Sequence, residues 1–375
     1  MAKIIHTADI HLDAPFSLLD VQKAQVRKNE LRETFTSIVQ LAESEQADIM
    51  IIAGDLFDSG FVTKETAELL LNLFSSVPKC KFVIAPGNQD YIWGRSLYRK
   101  ENFPKNVYIF DKEEISCFSF PEIGVDVYGY AFTSESYIAN PLEKKIPLQR
   151  SKINILAAHA DISGKSKYAP VFVSDIAKSG FDYIAFGHIH PGGKVQNAGN
   201  TYYAYSGCPE GRSFDECGTK GVVIAELTKN SAQLTANFRN HRTCKRHYEK
   251  ITVDITGVAS QEALADCVKQ AIEAEGFGMD VLLRVRLIGK ISPETILYPQ
   301  KLEASAFGIF YLEVEDFSVP LLNYEELKND ISVRGAFFRE LLPLLQGDNE
   351  AERRTAADAL RYGLAALDGK DLIDF

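Results

Sequence analysis

Five short blocks of the sequence hold residues able to ligate metal ions: Asp9-Ile10-His11, Gly54-Asp55-Leu56-Phe57-Asp58, Gly87-Asn88-Gln89-Asp90, the lone His159, and Gly187-His188-Ile189-His190. Asp9, His11, Asp55, Asn88, His159, His188 and His190 offer carboxylate, amide-carbonyl or imidazole donors. Such donors suit manganese, iron, zinc or magnesium and not thiolate-seeking ions. Their number can hold two divalent cations with one shared carboxylate. Two cations roughly 3.5–4 Å apart are the standard apparatus for in-line attack on a phosphate ester. Asp55 is the candidate shared ligand, because it follows an apolar run and a glycine that lets the backbone turn sharply. In extended chain Asp9 and His11 point the same way, and so do His188 and His190. Asn88 adds a neutral oxygen to a site already supplied with carboxylates. Asp58 reads either as a partner orienting a ligand or as a turn cap, and Asp90 stays unassigned.

The elements around these blocks alternate. Lys3–Ala8, Asp48–Ala53 and Lys81–Ala85 are short apolar runs that read as buried strands, and each runs into a ligand block. Between them, Val21–Gln46 and Thr63–Ser75 carry helical periodicity. Further strands are expected at Asp126–Phe132, Ile153–Ala158, Asp182–Phe186, Thr201–Ser206, Gly221–Leu227 and Gln233–Phe238. This alternation implies an α/β protein with parallel strands. In open α/β sheets the carboxyl ends of the strands are where sites form.

The pattern changes at the basic stretch Asn240–Lys250. Strands at Tyr248–Ile255, Val281–Ile288 and Phe310–Glu315 and a helix at Gln261–Glu275 suggest a small α+β domain. Helices at Val333–Leu345 and Asn349–Leu367 follow, with Gly369 as a stop signal. The expected division is 1–240, 245–320 and 321–375.

With 375 residues, 46% apolar and 25% charged, the chain has an ordinary globular composition. A net charge of -10 argues against a generally basic nucleic-acid coat, although a local basic groove is compatible with it. The six cysteines show neither zinc-site nor disulfide spacing and read as reduced thiols. Lys3–Ala8 is too short for a signal sequence, and no apolar run is long enough to cross a bilayer. A cytoplasmic location and no membrane partner are therefore expected.

Taken in order, the five blocks resemble the calcineurin-like metallophosphoesterase superfamily, whose pattern is D-x-H, G-D-x-x-D, G-N-H-D/E, H, G-H-x-H, over roughly residues 1–240. The resemblance implies a four-layer α/β/β/α sandwich. It also implies one metal on Asp9, His11, Asp55 and His190 and a second on Asp55, Asn88, His159 and His188. Asn88, Gln89, Asp55 and His159 are the implied catalytic residues, and manganese is the family's expected metal. FDYIAFGHIH, YSGCPEGRSFDECGTKGVVI and the appended domain are similar to the bacterial DNA repair exonucleases of the SbcD and YhaO type. That narrower likeness implies a DNA substrate, a small capping domain and pairing as a homodimer. It also implies an SMC-like coiled-coil ATPase partner, engaged through the terminal helices.

Gln89 stands where the family has histidine. Glutamine donates a hydrogen bond but relays no proton near neutral pH. The expectation is a centre that cleaves activated phosphodiesters and cuts DNA slowly. Two other readings stay open: a phosphodiesterase or phosphatase for a nucleotide or small ester, and a subunit that binds DNA or the ATPase with little turnover. Three clusters are candidate phosphate contacts: Arg95, Arg99 and Lys100 with Tyr91 and Trp93; Arg242, Lys245, Arg246 and Lys250; and Arg284, Arg286 and Lys290. Trp93, the only tryptophan, either stacks on a base or packs. His6 reads as a core residue.

Overall fold

The computed structural model describes residues 1–230, 233–292 and 295–367, so Gly369 lies outside the described residues. The chain divides into two compact units, Met1–His247 and Tyr248–Phe375. The first unit begins β1 (Ala2–Thr7), α1 (Val21–Ser44), β2 (Ile49–Ile52), α2 (Lys64–Ser76), β3 (Lys81–Ile84), α3 (Leu97–Lys100), β4 (Val107–Ile109). It continues β5 (Ser116–Phe120), β6 (Val125–Gly129), β7 (Ile153–His159), α4 (Val173–Ser179), β8 (Tyr183–Gly187), β9 (Gln196–Ala198), β10 (Thr201–Tyr205), β11 (Gly221–Asn230), β12 (Gln233–Arg242).

Two six-stranded sheets result. One has the order β12-β11-β1-β2-β3-β4, and the other β5-β6-β7-β8-β10-β9. Strands β1 to β4, of which β4 is the edge, run parallel, and so do the inner strands β6, β7, β8 and β10. Such strands are buried on both faces, and β2, β6, β7 and β8 are buried throughout. Helix α1 starts where the Asp20 carboxylate accepts from the Lys23 amide, and it buries Leu31, Phe35, Ile38 and Val39 at helical spacing. Phe35 meets Phe74 of α2 edge-on, and Phe74 lies 4.6 Å from Phe82 of β3, which seats both helices on the first sheet. Ile176 of α4 joins Leu156, Ile184 and Phe186 in a core on the second sheet.

The two sheets face each other through His6. Its Nε2–H donates to the Phe186 carbonyl at 3.1 Å, so its Nδ1 accepts from the Tyr183 hydroxyl at 2.8 Å. Burial pulls this imidazole down to about 3, so it stays neutral in the core. The layers are thus helices, sheet, sheet and helix. The short elements β4, β5, β9, α3 and α4 have no counterpart in the sequence expectation. Three- to five-residue strands and helices of four or seven residues are too short to display a period.

A buried ion network fixes the loop after β10 to α1. Arg27 and Glu210 have fully buried side chains 2.7 Å apart, and Arg27 also meets Glu30 at 2.6 Å. Glu210 further accepts from the Thr34 hydroxyl and the Lys245 and Arg246 amides. Two of the four cations of the basic boundary stretch are engaged beside it, Arg246 with Glu30 and Lys245 with Glu33.

The second unit holds β13 (His247–Asp254), α5 (Gln261–Glu275), β14 (Val281–Ile288), β15 (Lys290–Ile291), β16 (Tyr311–Asp316), β17 (Val319–Pro320), α6 (Tyr324–Asn329), α7 (Val333–Leu345) and α8 (Glu350–Leu367). A three-stranded sheet β13-β14-β16 buries Val253, Leu283 and Val285 against Leu264, Val268 and Ile272 of α5. Leu327, Phe338, Leu360 and Leu364 form the core of the terminal helices, and Arg361 ties α8 to Asp316 at 2.8 Å. The β14–β16 register places Arg284 beside Glu313 and Arg286 beside Glu315, and both arginines are ion-paired there. Two of the three cations of this candidate phosphate contact are therefore paired with their own neighbours, and Lys290 is exposed.

Removing one partner of a buried pair leaves the other charge unsolvated. Arg27→Met is expected to lower the unfolding free energy by ~3–5 kcal/mol in a urea titration; a loss below about 1 kcal/mol would contradict a structural role for the network.

Candidate metal centre

The carboxyl ends of β1, β2 and β3 in one sheet meet those of β7 and β8 in the other. Asp9 and His11 follow β1, Asp55 follows β2 and Asn88 follows β3. His159 ends β7, and His188 and His190 follow β8. Asp9, His11, Asp55 and His190 each present a ligand atom within 4.8 Å of the others and form a candidate metal site. Asp55 Oδ2 lies 3.7 Å from His11 Nε2 and 3.5 Å from His159 Nε2, between this group and a second one. There His159 Nε2 approaches Asn88 Oδ1 at 2.9 Å, and the His188 ring packs edge-on against His159. The His188 amide donates to both oxygens of Asp9.

Four of these residues do not reach the centre from extended chain. Asp9, His11 and Asp55 have φ near +50°, and His188 has φ of 104°. Left-handed turns, and not i, i+2 alternation, aim the paired side chains. Such conformations cost of order 1–3 kcal/mol each and persist only where surroundings enforce them. Here the loops after β1 and β2 hold each other: the Asp9 amide donates to Gly54 O, and His11 to Asp55 O. Gly54 has φ of +92°, and a Cβ there would lie 2.2 Å from His159 Nδ1.

The donor geometry fits bound cations. His11 Nδ1 faces Asp58 at 3.1 Å, His190 Nδ1 faces Glu216 at 2.6 Å and His159 Nδ1 faces the Ala53 carbonyl at 3.1 Å. Each contact requires N–H on Nδ1 and leaves Nε2 as a lone pair in the neutral ring. The lone pairs of His11 and His190 then oppose each other at 3.3 Å, and that of His159 opposes the Asn88 oxygen. Facing acceptors repel unless a cation lies among them. A proton is the competitor. Burial alone would lower His190, but its hydrogen bond to Glu216 and the charge of Asp9 outweigh burial and raise it. Burial pulls His11 down to about 3 and His188 to about 4, and it pushes Asp9 up to about 6. Burial, and then the charge of Asp90, raise Asp55 well above the usual carboxylate range. Without a cation, this site resists its own negative charge.

Asp90 is a clamp and not a ligand. One oxygen accepts from the Gly87 and Asp55 amides, and the other from the Leu56 amide and the Tyr98 hydroxyl. The Gln89 amide donates to Asp55 Oδ1 at 2.9 Å, whereas its side chain is exposed. Asp58 orients His11 and does not merely cap a turn. Arg212 bridges Asp58 at 2.8 Å and Glu216 at 3.0 Å, joining the carboxylates that hold His11 and His190. Burial would raise Glu216, but the His190 hydrogen bond and the Arg212 charge hold it far below the usual range. Sequence reading missed Arg212 and Glu216 as participants. They sit on an irregular loop, and neither periodicity nor spacing marks them.

This arrangement defines a phosphoesterase-type metal centre, and residues 2–192 match the calcineurin-like phosphoesterase family, to which the chain belongs. It is a hydrolase of this binuclear, metal-dependent class. The uncharacterized metallophosphoesterase YhaO of Bacillus subtilis is 28% identical over 309 residues, covering 79% of this chain and 74% of that protein. The SbcD component of the nuclease SbcCD of Staphylococcus epidermidis is 27% identical, covering 61% of this chain and 67% of its own. The DNA double-strand break repair protein Mre11 of Saccharolobus solfataricus is 24% identical and covers 61% of each. No helix among the described residues is long and apolar enough to cross a membrane.

Protons and cations compete for these groups, which sets a pH dependence. The raised pKa of Asp9 favours the metal-free fold at low pH, and that contribution is lost as pH rises through about 6. A cation needs the ionised form. The rise in melting temperature on adding manganese is therefore expected to be larger at pH 7.5 than at pH 5.5; an equal rise would contradict ligation through Asp9. Removing an orienting partner typically costs 10–100-fold in metal affinity. Glu216→Gln is expected to weaken manganese binding by that factor in a calorimetric titration, and unchanged affinity would show that Glu216 does not support His190.

Proposed function

We propose that this chain is a two-metal phosphodiesterase whose substrate is DNA. The observation that carries the reading is the meeting of all seven ligand-type side chains at opposed strand ends, with Asp55 between two groups. In this reading Asp9, His11, Asp55 and His190 hold one cation, and Asp55, Asn88, His159 and His188 hold the other. Manganese is the expected ion. Two such cations supply an activated water and neutralise charge on the phosphoryl oxygens. The names of the SbcCD and Mre11 relatives support DNA as the substrate and repair as the setting. The same likeness supports an SMC-like ATPase engaged by the terminal helices, a homodimer and a cytoplasmic location.

Gln89 shapes the activity. Its main chain orients Asp55 whatever the side chain, so the histidine-to-glutamine change leaves the ligands in place. Its exposed side chain can hydrogen-bond a phosphoryl or leaving oxygen but delivers no proton near neutral pH. Esters whose leaving group needs no proton are therefore favoured, which also keeps a small activated ester in view as a substrate.

With manganese, end-labelled duplex DNA and bis(p-nitrophenyl) phosphate should both be cleaved, the aryl ester faster, and Asp55→Asn should abolish both activities. Undiminished turnover in Asp55→Asn would overturn the reading. General acid–base assistance contributes 10²–10⁴-fold. Gln89→His should accordingly raise kcat on DNA by at least about tenfold and leave the aryl ester near its starting rate. No gain on DNA would mean that another group already supplies the proton.

A further inference from the structure

Beside Asn88 and Gln89 opens a cavity of about 560 Å³ whose walls mix aromatic rings with polar and charged side chains. Phe61 is 81% exposed, an unusual state for a large apolar ring that faces a site. Its ring meets Trp93 edge-on, with centroids 5.9 Å apart and planes at 70°. Trp93 itself is half-buried, and its Nε1 is enclosed with no hydrogen-bond partner. Gly60 makes room for that edge, since a Cβ there would come within 2.9 Å of Nε1. Across the cavity Tyr168 leans on the His188 ring at 4.7 Å, and the exposed Lys167 ammonium lies 5.3 Å from the Tyr168 ring centroid.

We propose that Phe61 is a stacking platform for one unpaired nucleobase, the base of the nucleotide whose phosphate lies at the metal centre. This inference rests on the phosphodiesterase reading and names the part of the substrate that the centre itself does not touch. Three features of the cavity fit a nucleotide. It is continuous with Asn88 and Gln89, so a ligand in it adjoins the metal ligands. Lys167 supplies a cation for phosphate. Glu135, also in the lining, suits an exocyclic amine of a base and repels phosphate. Trp93 then acts as the support that sets the Phe61 ring upright, and it is not the surface on which the base lies. A base inside a duplex has both faces occupied by its neighbours and its edge by its partner, so occupancy requires a strand end, and a base paired there must fray to enter the cavity. The platform would thus select end structure without reading sequence, because every base offers an aromatic face.

The sole tryptophan makes the test direct. The full-length protein, with magnesium, would be titrated with dAMP and with 2-deoxyribose 5-phosphate while Trp93 emission is followed. Stacking on an aromatic side chain is worth roughly 5- to 150-fold in affinity per base. Wild-type protein should bind dAMP tighter than the sugar phosphate by a factor in that range, with a change in Trp93 emission for dAMP alone. Phe61→Ala should collapse the ratio to near one, and Phe61→Tyr, which keeps the ring, should retain it. Equal affinity of the wild type for the two ligands, including no binding of either, would overturn the platform. So would a ratio that survives Phe61→Ala. Neither ligand is a diester, so a failure to hydrolyse bis(p-nitrophenyl) phosphate would sink the phosphodiesterase reading separately.

Discussion

Concentrated lone pairs in a buried place are the constraint on which the rest of the first unit depends. Asp9, Asp55 and His159 are nearly or fully buried, and the nitrogens of His11 and His190 point at each other. Proteins bury unpaired acceptors only at a cost of several kcal/mol unless something positive joins them. Among the described residues three hydrogen-bond acceptors are aimed at the back of the rings, so each ring's one proton is drawn away from the centre. Asp58, Glu216 and the Ala53 carbonyl take the Nδ1 protons and leave the Nε2 side for a cation.

Much of the surrounding architecture enforces that geometry. Two parallel-stranded sheets bring their carboxyl ends together, which neither could do alone. The left-handed residues after β1, β2 and β8 are held by a ladder between loops and by the Asp90 clamp. The Arg27–Glu210 network anchors the stretch that leads to Arg212 and Glu216, so α1 is linked to His190 through one buried ion pair, the backbone to Arg212 and the Arg212–Glu216–His190 contacts. Gln89 fits this picture: its backbone serves the scaffold and its side chain faces solvent.

The candidate ligand residues that the structure brings together were legible in the sequence because each block lies at a strand end and the residue types are sharp. The parallel strands around them were legible for the same reason, since DIMIIA and KFVIA are apolar throughout. Other features were hidden by physical causes. The aim of Asp9 and His11 depends on positive φ at non-glycine residues, which no pattern announces. Arg212 and Glu216 lie on an irregular loop more than 20 residues from the ligand they support, apart from any periodic segment. The basic character of Arg284 and Arg286 was visible, but its neutralisation depends on the register of β14 with β16, set by pairing across 29 residues of sequence. Trp93 was conspicuous as the only tryptophan, yet the exposed ring is that of Phe61.

Metal stoichiometry bears most directly on the centre. Equilibrium dialysis of the purified chain against manganese, followed by elemental analysis, counts the ions held. Two per chain are expected, with Asp55→Asn lowering the count because both groups share that carboxylate. A single ion per chain, or two ions that persist unchanged in Asp55→Asn, would contradict a pair of sites joined at Asp55.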